Sequence, residues 1–164
     1  MDVQTDSISE QNIAMDRLKY LVYEVLTNVV FVDASETKLI EKYQAAGMRV
    51  CSTPEAPYDQ IISLLLFYKF NAIAEGKLLV TNLQLESLLS DGVGFMLDED
   101  ILEATPFKFG WWTDNNVMIT DKTVGKKEKI VKMIKKSDWS TLGLDWKEQE
   151  PIKSEIIFTP EIKK

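Results

Sequence analysis

The sequence predicts one α+β domain over residues 1–164, with helices mainly in the first half and a small antiparallel sheet in the second half. Its length of 164 residues suits a domain of ordinary size. Hydrophobic residues make up 45% of it, which is enough for a core. Apolar residues recur at helical spacing before residue 75, whereas short β-branched and aromatic runs separated by turn residues follow it. This change of pattern indicates the α+β class.

Three helices are predicted in the first half. Ser7 and Glu10 have capping-box spacing, so the first helix begins near Ser9. Its apolar positions are Leu18, Leu21, Val22, Val25, Leu26 and Val29. Its end is ambiguous, because residues 28–32 also have the composition of a strand. A second helix is predicted over residues 35–46, between a Ser35 cap and Gly47. The third, over 58–74, is apolar on all sides and is expected to be central.

Strands are predicted at 48–52, 78–80 and 93–97. A hairpin is predicted near 107–120, where apolar runs flank the turn residues 114–116. A last run at 155–159 lies between Pro151 and Pro160. This arrangement predicts that residues 147–164 form an edge strand or a docked tail. Residues 1–7 are polar and acidic, and we expect them to be flexible.

The absence of histidine is the strongest evidence against catalysis. It excludes Ser-His-Asp and Cys-His designs and histidine-ligated zinc. The single cysteine, Cys51, excludes an internal disulfide and cysteine-only metal sites, and we expect it to be a small buried residue. We therefore predict no catalytic residues, no bound metal and no cofactor.

Two other patterns could support chemistry. Ser35 and Lys38 have the S-x-x-K spacing of a serine–lysine hydrolase, which requires a buried lysine. Asp98, Asp100 and Glu103 could hold a divalent cation, giving a metal-dependent hydrolase. A helix cap and a solvated acidic turn explain these residues more simply. Hydrolase activity is therefore kept only as an alternative.

The charge distribution is the main functional clue. The chain has a net charge of −7, yet residues 122–136, here called the lysine-rich segment, carry seven lysines and one glutamate. This segment sums to +6, so the remainder carries −13. On a helix of about 100° per residue, Lys129, Lys132 and Lys136 cluster opposite an apolar half, with Lys126 at its border. A solvated face and a docking face both fit this pattern.

Trp111 and Trp112 precede the lysine-rich segment. On a strand, these neighbours would point to opposite sides, so one would enter the core while the other could contact a partner. The predicted partner-binding residues are Lys126, Lys129, Lys132, Lys136, Trp111 and Trp112. The primary interpretation is a regulator, inhibitor or accessory subunit that binds another protein or protein complex. The alternative is a nucleic-acid-binding accessory protein. The net charge of −13 on the residues outside the lysine-rich segment disfavours it, because this charge repels phosphate groups.

The composition also suggests a setting. The polar start lacks a signal-peptide pattern, and the longest apolar run, 61–70, is too short to cross a bilayer. We expect a cytoplasmic protein that does not bind membranes. Lysine supplies 17 of the 19 cationic residues, a bias typical of AT-rich coding sequences, so a phage or mobile element acting in the host cytoplasm is a reasonable origin. The sequence indicates no oligomeric state.

Overall fold

The structure is a computed structural model, and it describes residues 1–88, 94–97, 107, 109–117 and 138–146. Several predicted features lie outside these residues. They are the lysine-rich segment, the acidic residues Asp98, Asp100 and Glu103, and the strand at 155–159. Within the described residues the α+β class is confirmed, with the α-helices in the first half and an antiparallel strand pair in the second.

The elements follow one another in a simple order. The helices are α1 (Ile8–Tyr20), which continues as a π-helical turn (Leu21–Val25), α2 (Thr37–Ala45) and α3 (Asp59–Ala74). The strands are β1 (Asp2–Val3), β2 (Val29–Asp33), β3 (Arg49–Thr53), β4 (Leu78–Leu79), β5 (Gln84–Glu86) and β6 (Gly94–Met96). A 3-10 turn covers Trp111–Thr113. Pairing is antiparallel for β1–β4 and β5–β6, and parallel for β2–β3.

Residues 1–7, which we expect to be flexible, include the short strand β1. The structure places Asp2–Val3 in β1, because these residues pair with β4. Ser7 caps α1 as predicted, with its Oγ accepting from the Glu10 N–H at 3.4 Å. In a complete capping box the Glu10 carboxylate would also accept from the Ser7 N–H. Here it accepts instead from the Thr5 hydroxyl at 2.5 Å and from the Lys77 ammonium at 2.7 Å.

The first helix and β2 are separated by a backbone reversal. Asn28 has a φ of 58°, a left-handed conformation that asparagine tolerates better than most residues. It ends the helical region and allows β2 to begin at Val29, which resolves the ambiguity in the sequence. The helix α2 then connects β2 to the parallel strand β3, with Phe31 opposite Cys51.

The predicted cap of the second helix was wrong. Ser35 lies before the helix, where its N–H donates to Asp33 Oδ1 at 2.8 Å. The Asp33 carbonyl also accepts from the Glu36 N–H at 2.9 Å, so residues 33–36 form a turn and α2 begins only at Thr37. Gly47 has a φ of 77° and ends the element as expected.

The third helix is the central element, as the sequence predicted. One side of α3 contributes Leu64, Phe67 and Ile73 to a large cluster with α1. Leu65 belongs to a second cluster with Cys51, Trp111 and Trp112. Because both sides of α3 are covered by other parts of the protein, the helix has no solvent-facing side that would need polar residues.

The predicted hairpin near 107–120 is corrected in its first arm. Residues 109–110 form a bend, and Trp111–Thr113 form a 3-10 turn instead of a strand. Tertiary contacts override the strand propensity of this aromatic run, because both indoles enter the core. Its second arm, beyond Val117, lies outside the described residues.

Among the residues that the structure describes, none of the helices combines the length and the apolar character that a membrane crossing requires.

Candidate functional site

The structure describes only part of the predicted partner-binding set. Lys126, Lys129, Lys132 and Lys136 lie outside the described residues. Trp111 and Trp112 are only 2% and 5% exposed. The expectation that one of them faces a partner is therefore corrected: both indoles are core residues, because the 3-10 turn directs both inward.

The two tryptophans close the second core cluster. The Trp111 Nε1–H donates to the Ser52 carbonyl at 2.9 Å, which ties the turn to the outer edge of β3. The two rings pack edge to face, with centroids 5.7 Å apart. Gly110 permits this arrangement, since a Cβ there would lie 2.2 Å from the Trp112 ring.

The alternative of a serine–lysine hydrolase loses its physical basis. Ser35 and Lys38 are both exposed, whereas a serine–lysine hydrolase requires a buried lysine. Within the described ranges, no three histidine, cysteine or acidic side chains gather in a way that could hold a metal ion.

A buried lysine anchors the segment that leads to the lysine-rich segment. Lys69, on α3, is 0% exposed. Its ammonium donates to the carbonyl oxygens of Trp111, Asp114 and Asn116 at 3.1, 3.0 and 2.9 Å. It also pairs with Asp114 Oδ1 at 3.0 Å. One internal cation thus fixes residues 111–116 against α3.

A buried arginine anchors the segment that follows the lysine-rich segment. Arg17, on α1, is 1% exposed. Its Nε donates to the Leu144 carbonyl at 2.8 Å. Its guanidinium carbon lies 4.7 Å from the Trp139 ring centroid and 3.8 Å from that of Trp146. Stacking of a planar cation on aromatic rings supplements the hydrogen bond, so residues 138–146 are fixed to α1.

Glu75 joins the two anchored segments. Its Oε1 accepts from Arg17 at 2.8 Å and from Asn115 Nδ2 at 3.0 Å. Its Oε2 accepts from Trp146 Nε1 at 3.0 Å. Glu75 has a φ of 47°, a left-handed conformation that is unusual for a residue with a Cβ. This conformation occurs at the C-cap of α3, where the chain leaves the helix.

A direct bond completes the connection. The Trp139 Nε1–H donates to the Asn115 carbonyl at 2.6 Å. We call this arrangement the clamp, and its residues are Arg17, Lys69, Glu75, Asp114, Asn115, Trp139 and Trp146. The described segments on either side of residues 118–137 are therefore in contact, and the sequence between them contains the lysine-rich segment.

The clamp is electrostatically coupled. Burial alone raises the pKa of Asp114, but hydrogen bonding and charge attraction from Lys69, aided by Asn116, outweigh burial and the net pKa is lowered. Burial likewise opposes ionisation of Glu75, yet bonds from Trp146, Arg17 and Asn115 lower its pKa. Both carboxylates are therefore held in their charged form.

Acid is expected to weaken the clamp. Because both folded-state pKa values are lowered, the unfolded chain binds these protons first as the pH falls. The stabilisation is complete above the ordinary pKa values, near pH 4, and is lost as the pH falls through the folded values. Urea unfolding from pH 7 to pH 3 should show a smaller loss of stability in Asp114→Asn than in the unaltered protein. Equal losses in the two proteins would contradict this coupling.

Sequence reasoning missed the clamp, although signals for it were present. Lys69 is the one cation in the apolar run 61–70, and a helix that is apolar on all sides offers no exposed face for a lysine. A buried lysine is almost always paired, so this position indicates a partner. Arg17 and Arg49 are the two arginines in a chain that otherwise uses lysine. Arg49 bonds the carbonyls of Glu24, Val25 and Thr27, so both arginines bind backbone oxygens in a fixed geometry.

Comparison with protein-family models, curated proteins and solved structures found no match to this chain.

Proposed function

We propose that this protein is a non-catalytic binding protein, a regulator or accessory subunit, that docks onto an acidic surface of another protein through Lys126, Lys129, Lys132 and Lys136. The observation that supports this proposal most is the clamp. It ties together the two described segments that flank the lysine-rich segment, with Asn115 bonded to Trp139 at 2.6 Å. The lysines thus belong to a stretch with two fixed ends.

Fixed ends favour binding in two ways. They restrict the arrangements that residues 118–137 can adopt, so less conformational entropy is lost when a partner binds. They also keep the +6 of the lysine-rich segment at one place on a chain that is otherwise acidic. Such charge separation orients an incoming partner and raises the association rate.

An acidic protein fits the charge pattern better than a nucleic acid does. Asp138 and Asp145 are exposed on the segment that follows the lysines, and the chain outside the lysine-rich segment carries −13. A nucleic acid is negative along its whole length and would meet this charge on either side of the lysines. A protein can present a confined acidic patch.

The decisive variant reverses three lysines of the proposed face. Lys129→Glu, Lys132→Glu and Lys136→Glu together change the net charge by −6. The matched control is Lys19→Glu, Lys38→Glu and Lys42→Glu, which makes the same change at exposed positions on α1 and α2. Each tagged protein is used for affinity capture from the native host, with quantitative mass spectrometry. The reversed face should retain its protein partner about tenfold less or worse, while the control should retain it.

Three outcomes would overturn the proposal. The first is equal capture by all three proteins, and the second is equal loss in both variants, which would indicate a response to net charge alone. The third is capture of nucleic acid with a steep fall of log affinity against log salt, which would support the nucleic-acid alternative. Far-ultraviolet circular dichroism of each variant confirms that the fold is retained.

The setting is also proposed from composition. The lysine bias favours a phage or mobile-element product that acts in the cytoplasm of its host. Infected cells are therefore a second source for the capture experiment.

A further inference from the structure

The parallel pair β2–β3 has two outer edges that differ in how they are covered. Successive peptide groups of a strand point to opposite edges. The Ala34 N–H donates to the Thr53 carbonyl at 2.9 Å, which shows that the even-numbered residues of β2 face β3. On β3, Ser52 faces outward, and its carbonyl accepts from the Trp111 indole. The Trp111 side chain thus contacts the outer edge of β3 at Ser52.

The outer edge of β2 carries the peptide groups of Val29, Phe31 and Asp33. The Val29 N–H donates to Leu26 at 3.2 Å, and the Asp33 carbonyl accepts from Glu36 at 2.9 Å. The Val29 carbonyl, both polar groups of Phe31 and the Asp33 N–H have no partner among the described residues. They form a continuous row along one edge.

The residues of β2 carry little that normally discourages strand addition. Residues 29–32 are Val, Val, Phe and Val, without proline or lysine, and Asp33 supplies the one charge at the end. The pair also has packing neighbours, since α2 contacts β3 and Phe31 packs against the cluster that contains Leu65 of α3. A parallel sheet seldom consists of only two strands.

The predicted strand at 155–159 is suited to this edge. Residues 155–159 read Glu-Ile-Ile-Phe-Thr, with proline at 151 and at 160. Bordering prolines suit a new outermost strand, because they discourage a further strand from adding to it.

The geometry of the chain permits this run to reach β2. Trp146, the last described residue, has its ring centroid 3.8 Å from the Arg17 guanidinium carbon. Along the helical region, Leu26 lies about 14 Å from Arg17 at about 1.5 Å per residue, and β2 begins just after it. The eight residues 147–154 can span up to about 29 Å. The connection is long enough without strain.

We propose that residues 155–159 of the same chain pair with the outer edge of β2 as a third strand. The pairing supplies partners for the Phe31 and Asp33 peptide groups and replaces an unprotected edge with one bordered by prolines. This proposal is independent of the partner-binding proposal.

Amide hydrogen exchange of the full-length protein, followed by NMR, tests the pairing. The variant is Ile156→Pro with Ile157→Pro: N–H groups alternate along a strand, so one of two adjacent prolines must remove a donor that faces β2. The control is Glu161→Pro with Ile162→Pro, beyond the proposed strand. The Phe31 amide should exchange slowly in the unaltered protein and the control, and at least about tenfold faster in the variant. The Leu65 amide in α3 should be unchanged, which would show that the core is intact.

Two results would overturn the proposal. Rapid exchange of the Phe31 amide in the unaltered protein would show that the edge is open. Protection that survives the 156/157 variant, or that disappears on tenfold dilution, would show that another segment or a second copy of the chain covers the edge.

Discussion

Replacing Arg17 by alanine is expected to lower the free energy of unfolding by about 3–5 kcal/mol, a large part of the stability of a domain of this size. The guanidinium is buried, bonds the Leu144 carbonyl, and pairs with Glu75. Its loss leaves a cavity between Trp139 and Trp146 and removes the cation from a partly buried carboxylate. Chemical unfolding followed by tryptophan fluorescence measures the change.

Two comparisons make the Arg17 result specific. Arg17→Lys keeps the charge but loses the planar fork, so we expect an intermediate loss of stability. Lys19→Ala removes an exposed lysine of the same helix, whose pair with Asp16 should contribute about 0.5 kcal/mol or less. If Arg17→Ala were no more harmful than Lys19→Ala, the clamp would not stabilise the fold.

Replacing Lys69 by methionine is expected to cost about 3–4 kcal/mol. Methionine has a similar length, so packing is largely retained while the charge and its donors are lost. Three backbone carbonyls and the Asp114 carboxylate then lack the ammonium that they bind. We expect residues 111–116 to detach from α3, with a red shift of tryptophan emission in the folded protein as Trp111 and Trp112 meet water.

A double variant separates charge from packing at Lys69. Adding Asp114→Asn to Lys69→Met removes the unpaired carboxylate, so we expect part of the stability to return. The control is Lys77→Met, which removes a partly exposed lysine paired with Glu10 at 2.7 Å and should cost much less. If the loss of unfolding free energy in the double variant equalled the sum of the losses in Lys69→Met and Asp114→Asn, a direct Lys69–Asp114 interaction would be contradicted.

Local patterns of the sequence predicted the helical half well. The N-cap at Ser7, the stop at Gly47 and the all-round apolar α3 depend on nearby residues, so they can be read from short segments. The predicted cap at Ser35 was wrong for an equally local reason, because Asp33 binds the N–H groups of Ser35 and Glu36 and holds residues 33–36 in a turn.

The candidate site was harder to predict because it depends on distant contacts. Trp111 and Trp112 fit a strand by composition, and the bonds of Trp111 to Ser52 and of Lys69 to residues 111–116, which favour the 3-10 turn, join residues far apart in the sequence. Arg17 meets Leu144 across 127 positions of the chain. The spacing of apolar residues along the sequence does not reveal such a distant contact. The sequence does show that a charged residue, Lys69, lies within an apolar helix, which indicates that another part of the chain supplies hydrogen-bond or ionic partners for it.

The clamp requires contact between the two described segments that flank the lysine-rich segment. Nuclear Overhauser effects from the Trp139 indole N–H test it directly, since this proton points at the Asn115 carbonyl, with a donor–acceptor distance of 2.6 Å. We predict cross-peaks to protons of Asn115 and Asn116 and slow exchange of the indole proton with water. An indole proton that shows neither cross-peak and exchanges as fast as that of an exposed tryptophan would contradict the clamp.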